Sequence, residues 1–260
     1  MGHTHLVRLP ATRKWRDVLE LLAGGAPAEE VLSASASAIE RDLANAAQDP
    51  VFIEAVRLLC QIPKSAQAEN FAASMRHEGM DAGSDPTLLD IAMAASQRLD
   101  AVRGQARSAN DFSELSARAL VSTLSEAFGS AILGLLEAST ENLKIEVKKF
   151  ASPEGFERLS RMFFGKLLDG TLRYWLDRTM PAQTGDERRF RTMSDRTNFD
   201  GVLTQYVAES TRIIKEFSRG WYAKAAAPEG SVSSSKAAAF GYVAFKKIGE
   251  ELRRKRGGDD

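Results

Sequence analysis

Three histidines, one cysteine and scattered carboxylates are the residues in this chain whose types most readily support reactive chemistry. His3 and His5, two positions apart, would share one side of an extended segment and could begin a metal site, but a metal centre needs further ligands. None follows nearby in the sequence. The third, His77, lies in Met75-Arg76-His77-Glu78-Gly79, where a helix-end position explains it without chemistry. A serine or cysteine nucleophile requires a base beside it and a third group to orient that base. Cys60 instead sits in the apolar run Ala55-Val56-Arg57-Leu58-Leu59-Cys60, as a small buried hydrophobe would. Neither a Walker-type phosphate loop nor a Gly-Xaa-Gly-Xaa-Xaa-Gly turn occurs.

Two carboxyls in unlike surroundings can divide acid and base work. Glu29-Glu30 and Glu250-Glu251 are adjacent rather than facing, and read as solvated helix ends. Asp169 and Asp177 are more informative because they fall within the most apolar segment, with Arg173 four residues from each. That spacing predicts an ion-pair ladder on one helix edge. It also leaves an enzyme site beside Asp169, Arg173 and Asp177 as a third functional reading. Basic residues cluster twice: Arg188, Arg189 and Arg191, and the terminal run Arg253, Arg254, Lys255 and Arg256. Either group could contact phosphates, so a nucleic-acid-binding module using the basic C-terminal third is the second reading.

Charge is balanced overall, at 35 basic and 35 acidic side chains, but not along the chain. Residues 1–100 carry 9 basic and 14 acidic side chains, residues 101–180 carry 11 and 10, and residues 181–260 carry 15 and 11. No apolar stretch reaches membrane-spanning length and the first residues lack a signal-peptide core, so a cytoplasmic location is expected. A single cysteine cannot form an internal disulfide, which fits a reducing compartment.

The elements that must position these residues are helices. Asp49-Pro50, Asp85-Pro86 and Ser152-Pro153 each place a short polar acceptor before a proline and a helix-period apolar run, the pattern of an N-cap followed by the first helical residue. The expected fold is all-α, an irregular bundle of roughly nine to ten helices with a short extended arm over residues 3–9. Pro63 is expected to stop the third helix, and one helix is expected from about Arg196 to Arg219, ending at Gly220. Residues 152–180 are read as a central buried helix, because Phe156, Leu159, Phe163, Phe164, Leu167, Leu172 and Trp175 cover more than one face. Two layers follow, an acidic one over 1–104 and a second over 112–260 around that helix, or else one continuous domain. The implied role is a non-catalytic interaction protein, an adaptor or accessory subunit of a cytosolic assembly, with a protein partner or a second copy of itself. No catalytic residue, metal or cofactor is implied.

Overall fold

The computed structural model describes residues 12–106, 110–132, 139–225 and 232–257. Within them lie eleven α-helices: α1 (Arg13–Ala23), α2 (Ala28–Ala46), α3 (Pro50–Ser65), α4 (Phe71–His77), α5 (Leu88–Ala106), α6 (Asp111–Ile132), α7 (Thr140–Lys149), α8 (Pro153–Leu176), α9 (Met193–Ser210), α10 (Ile214–Ala225) and α11 (Ser234–Gly257). A 3-10 turn over Met180–Gln183 joins α8 to the segment before α9. The only extended pairing among the described residues is an isolated bridge between Thr184 and Phe190. The all-α class therefore holds. The arm over residues 3–9, with His3 and His5, lies outside the described residues.

Eleven helices exceed the expected nine to ten for two physical reasons. Helix α7 presents only Leu143 and Val147 as buried side chains, too few to register as an apolar stripe. The expected helix over 196–219 is really two, broken after Ser210. There Ser210 Oγ donates to the Tyr206 carbonyl and Thr211 Oγ1 to the Val207 carbonyl, at 2.7 and 2.9 Å. Consecutive hydroxyls bonding back to the preceding turn weaken a helix and favour a bend. The chain then resumes as α10, which runs through Gly220 to Ala225.

Two of the three proline-marked starts form as the spacing predicts. Ser152 Oγ accepts the Gly155 amide at 3.0 Å ahead of α8. Asp49 Oδ1 accepts the Val51 and Phe52 amides at 3.0 and 2.9 Å ahead of α3. The third start is displaced, with α5 beginning at Leu88. Thr87 and Asp90 exchange hydrogen bonds there, the Thr87 amide to Asp90 Oδ2 at 2.9 Å and the Asp90 amide to Thr87 Oγ1 at 3.3 Å. This reciprocal cap satisfies two donors and sets the start of the helix at Leu88. Pro63, expected as a stop, lies inside α3. It is buried there, and the packing around it outweighs the single backbone bond that proline removes.

Asp49 also joins two helices. Its Oδ2 accepts Ser113 Oγ at 2.7 Å and Asn110 Nδ2 at 3.0 Å, while Asn110 Oδ1 accepts the Ser113 amide at 2.7 Å and so starts α6. One buried carboxylate thus fixes the origins of α3 and α6 together. Asp49→Ala is expected to cost about 3 kcal/mol, the loss of a cap plus buried donors left unpaired. Asp49→Asn, which retains an acceptor, should cost less. Urea unfolding checks both, and a loss under about 1 kcal/mol for the alanine variant would refute the clamp.

The buried side chains form one hydrophobic cluster running from Trp15 on α1 to Leu252 on α11. Its centre is aromatic. Phe52 of α3 stacks with Phe163 and Phe164 of α8, Phe112 of α6 and Phe245 of α11, with ring centroids 4.8 to 6.1 Å apart. A second group gathers Phe156, Trp221, Tyr222 and Phe240 from α8, α10 and α11. Helix α11 reaches Phe52 only because residue 241 is glycine, where an added Cβ would lie 2.5 Å from the ring. The helix with fewest exposed positions is α3, which has 13 buried residues, including Glu54, Arg57 and Gln61. Helix α8 buries one continuous face but leaves Glu154, Arg158 and Arg161 exposed. This outward edge carries the largest recess described below.

Candidate functional site

The polar positions of α8 recur at helical spacing: Arg158, Arg161, Gly165, Asp169, Arg173 and Asp177. Arg173 Nε binds Asp169 Oδ2 at 2.9 Å, as the four-residue spacing predicts. Its other partner is Asp200 of α9, at 2.9 Å, and not Asp177. Asp177 is held instead by Arg196 Nη2 at 2.6 Å, and Arg196 Nε reaches Asp200 Oδ2 at 3.0 Å. The result is an alternating chain, Asp169, Arg173, Asp200, Arg196 and Asp177, which fastens α9 against α8. Burial alone would lower the Arg173 pKa, but the two carboxylates outweigh it and raise the value; Arg196 shows the same balance. Each acid in the chain faces a permanent cation.

Beside this chain runs a groove of about 770 Å³. Helix α8 forms its floor through Met162 and Gly165, and Thr204, Val207 and Ala208 of α9 form one wall. Glu126 of α6 stands on the opposite side. An adjoining cleft of about 430 Å³ between α6 and α8 shares Lys166, Asp169 and Arg173 with the groove and extends it to Asp177. From Glu157 to Asp177 the helix rises about 30 Å.

The charges of the groove are unevenly engaged. Lys166 pairs with Glu126 at 2.6 Å, Asp169 with Arg173, and Glu157 with Arg219 of α10. Arg158 lies 5.6 Å from the centre of the Phe150 ring and has no carboxylate partner among the described residues. Arg161 is exposed and has no ion pair there either. Two cations are thus uncompensated at the end of the groove nearest the start of α8.

The sequence-predicted contact residues lie elsewhere. Arg253 binds Glu40 of α2 at 2.9 Å, and Arg256 reaches the same carboxylate at 3.6 Å and Ser37 Oγ at 2.7 Å. Arg254 pairs with Glu251 on its own helix, and Lys255 with Glu209 of α9. Every cation of the terminal run therefore meets an acid of this chain. Arg188 and Arg191 are exposed in the segment before α9. Arg189 lies over the touching rings of Phe199 and Phe190, 5.3 and 5.8 Å from their centres, and burial lowers its pKa. No ion pair among the described residues joins 188–191 to 253–256. Cys60 is fully buried, which pushes its thiol well above the ordinary range.

A second charged cluster lies inside the protein. Glu54 of α3 binds Arg57 Nε at 2.8 Å and Arg98 Nε of α5 at 2.7 Å, and Arg57 Nη1 also binds Glu78. Gln61 Nε2 donates to Glu78 at 2.8 Å while its Oε1 accepts the Val232 amide at 3.2 Å. A recess of about 390 Å³ borders the cluster, with His77 and Ser233 at its edge. Its donors and acceptors are matched to one another, as a structural ion network requires. No group of three or more potential metal ligands occurs among the described residues. No helix among them is long and apolar enough to cross a membrane.

Comparison with protein-family models, with curated proteins and with solved structures finds no match to this chain.

Sequence reasoning passed over Arg158, Arg161, Lys166 and Glu126, along with the α9 wall. The polar stripe on α8 was a readable signal. What hid it was the apolar content of the same helix, which suggested enclosure on nearly all sides.

Proposed function

We propose that this chain is a non-catalytic interaction protein, an adaptor or accessory subunit of a cytosolic assembly, and that the groove along α8 is its docking surface. The observation that carries this reading is the groove itself: a narrow apolar strip at the half-buried Met162, Gly165 and the exposed Ala208, edged by the nearly buried Val207, within a mostly charged lining that includes the unpaired Arg161. Exposed apolar area bordered by polar groups is the usual composition of a recognition surface. An enzyme at the same place is less well supported, because Asp169 and Asp177 are each held by an arginine. The nucleic-acid reading is weakened by the acids that already engage Arg253 to Arg256.

The full-length chain with Ala208→Cys, labelled there with a photo-crosslinker while the buried Cys60 stays unreacted, tests the reading in native lysate. A partner should be captured in fixed stoichiometry and cross-linked at position 208, and Arg161→Glu should reduce capture at least about tenfold. Equal capture by that variant, with its circular dichroism unchanged, or cross-links confined to other faces, would remove the groove from the account.

A further inference from the structure

We infer that the occupant of the α8 groove is an acidic amphipathic helix of about four turns, its carboxylates gathered at the end that lies over Arg158 and Arg161. This rests on the groove being a docking surface and adds the chemistry of what docks. The main groove follows α8 from Glu157 to Arg173, a rise of about 24 Å, which a helix of about 16 residues would span. Its bottom combines the half-buried Met162, Gly165, Ala208 and the edge of the nearly buried Val207, a narrow strip that takes small apolar side chains of one helix face. The lack of a side chain at Gly165 keeps the middle of that strip open, with Thr211 Oγ1 the nearest atom to an added Cβ, at 3.8 Å.

Charge selects the sign. Of the four cations lining the groove, Lys166 and Arg173 are neutralised by Glu126, Asp169 and Asp200. Glu157 is neutralised from outside by Arg219. What remains is the pair Arg158 and Arg161, three residues apart on one helix face. Two guanidinium groups match two or three carboxylates on successive turns of a partner helix, each able to form charge-assisted hydrogen bonds. A nucleic-acid backbone is a poorer match. It would spread its phosphates along the whole groove, whereas the unpaired charge is confined to Arg158 and Arg161 at one end.

The test uses the full chain and three synthetic, lactam-stapled 16-residue helices that share one Leu/Ala stripe and carry Glu, Gln or Lys on the polar face. Stapling is needed because a free helix of this length is marginal in water. Fluorescence anisotropy should show the Glu peptide binding at least about tenfold more tightly than the other two. Its affinity should fall as salt rises from about 50 to 500 mM, a measurement on the unaltered protein. The double variant Arg158→Glu/Arg161→Glu, at exposed sites and checked by circular dichroism, should abolish the preference for Glu. Equal binding of the Gln or Lys peptide, or an affinity independent of salt, overturns the acidic helix and leaves the docking surface standing. Failure of all three peptides to bind, together with loss of position-208 cross-linking in lysate, overturns both.

Discussion

Glu54→Ala should destabilise the protein by about 3 kcal/mol, because it leaves the buried Arg57 with a single counter-charge and the partly exposed Arg98 with none. The Glu54 side chain is 6% exposed and that of Arg57 is 10% exposed, against 30% for Arg98, so water from the bordering recess replaces the missing carboxylate only in part. Arg57 would keep only Glu78, and Arg98 would lose the one carboxylate it is paired with. For a chain of this size the loss corresponds to a fall in melting temperature of roughly 10 °C. The effect should exceed that of Glu251→Ala, whose pair with Arg254 lies at the surface and is expected to contribute under about 1 kcal/mol. Thermal unfolding of the two variants side by side decides the point. Equal small losses would mean that the cluster is hydrated and structurally idle.

The same cluster predicts an acid dependence. Burial alone would raise the Glu54 pKa, but hydrogen bonds and charge from Arg57 and Arg98 outweigh it and hold the carboxyl below its ordinary value. A carboxyl more acidic in the folded state contributes stability that is fully present above its unfolded value and is lost as pH falls through the folded one. Stability should therefore decline below about pH 4.5, the ordinary value of the group, and Glu54→Gln should flatten that slope. A variant with the wild-type acid slope would assign the decline to other carboxylates.

The second large effect is expected at Gly155. A Cβ there would lie 2.3 Å from Phe150 Cα and 2.7 Å from its carbonyl carbon and oxygen, all backbone atoms of the corner between α7 and α8. Backbone cannot move aside as a flexible side chain can, so Gly155→Ala must open the corner. It also displaces the amide that Ser152 caps. Overpacking and loss of a cap together should cost about 3 kcal/mol or more. Gly201→Ala in α9 is the matched control: nothing lies within 4 Å of an added Cβ, and alanine is the better helix former by about 1 kcal/mol. Chemical unfolding should move the two variants in opposite directions. If Gly155→Ala is neutral, the corner is not tightly packed.

Much of the fold was legible in short segments. The starts of α3 and α8 follow from Asp49-Pro50 and Ser152-Pro153, since a cap bond involves residues only two or three apart. The start of α5 lies downstream of Asp85-Pro86 because Thr87 and Asp90 form a competing reciprocal cap. The split between α9 and α10 was likewise local, written in Ser210 and Thr211, but a continuous apolar stripe masked it. Of the site, the pairing of Arg173 with Asp169 could be read from spacing. Its pairing with Asp200, 27 residues away, could not.

The sequence alone determined the helical class, the Asp169–Arg173 pair on α8 and the caps of α3 and α8, because each depends on periodicity or on bonds closed within about one turn. Tertiary structure decided which charges are buried and which stay unpaired. Glu54, Arg57 and Gln61 look in sequence like the wet face of α3, yet they are enclosed because Glu78 and Arg98 arrive from α4 and α5 to satisfy them. Arg253 to Arg256 look like a free basic patch, yet Glu40 and Glu209 are brought to them by α2 and α9. The cost of burying a charge, and the charge left to bind a partner, are set by neighbours distant in the chain, and only packing chooses those neighbours.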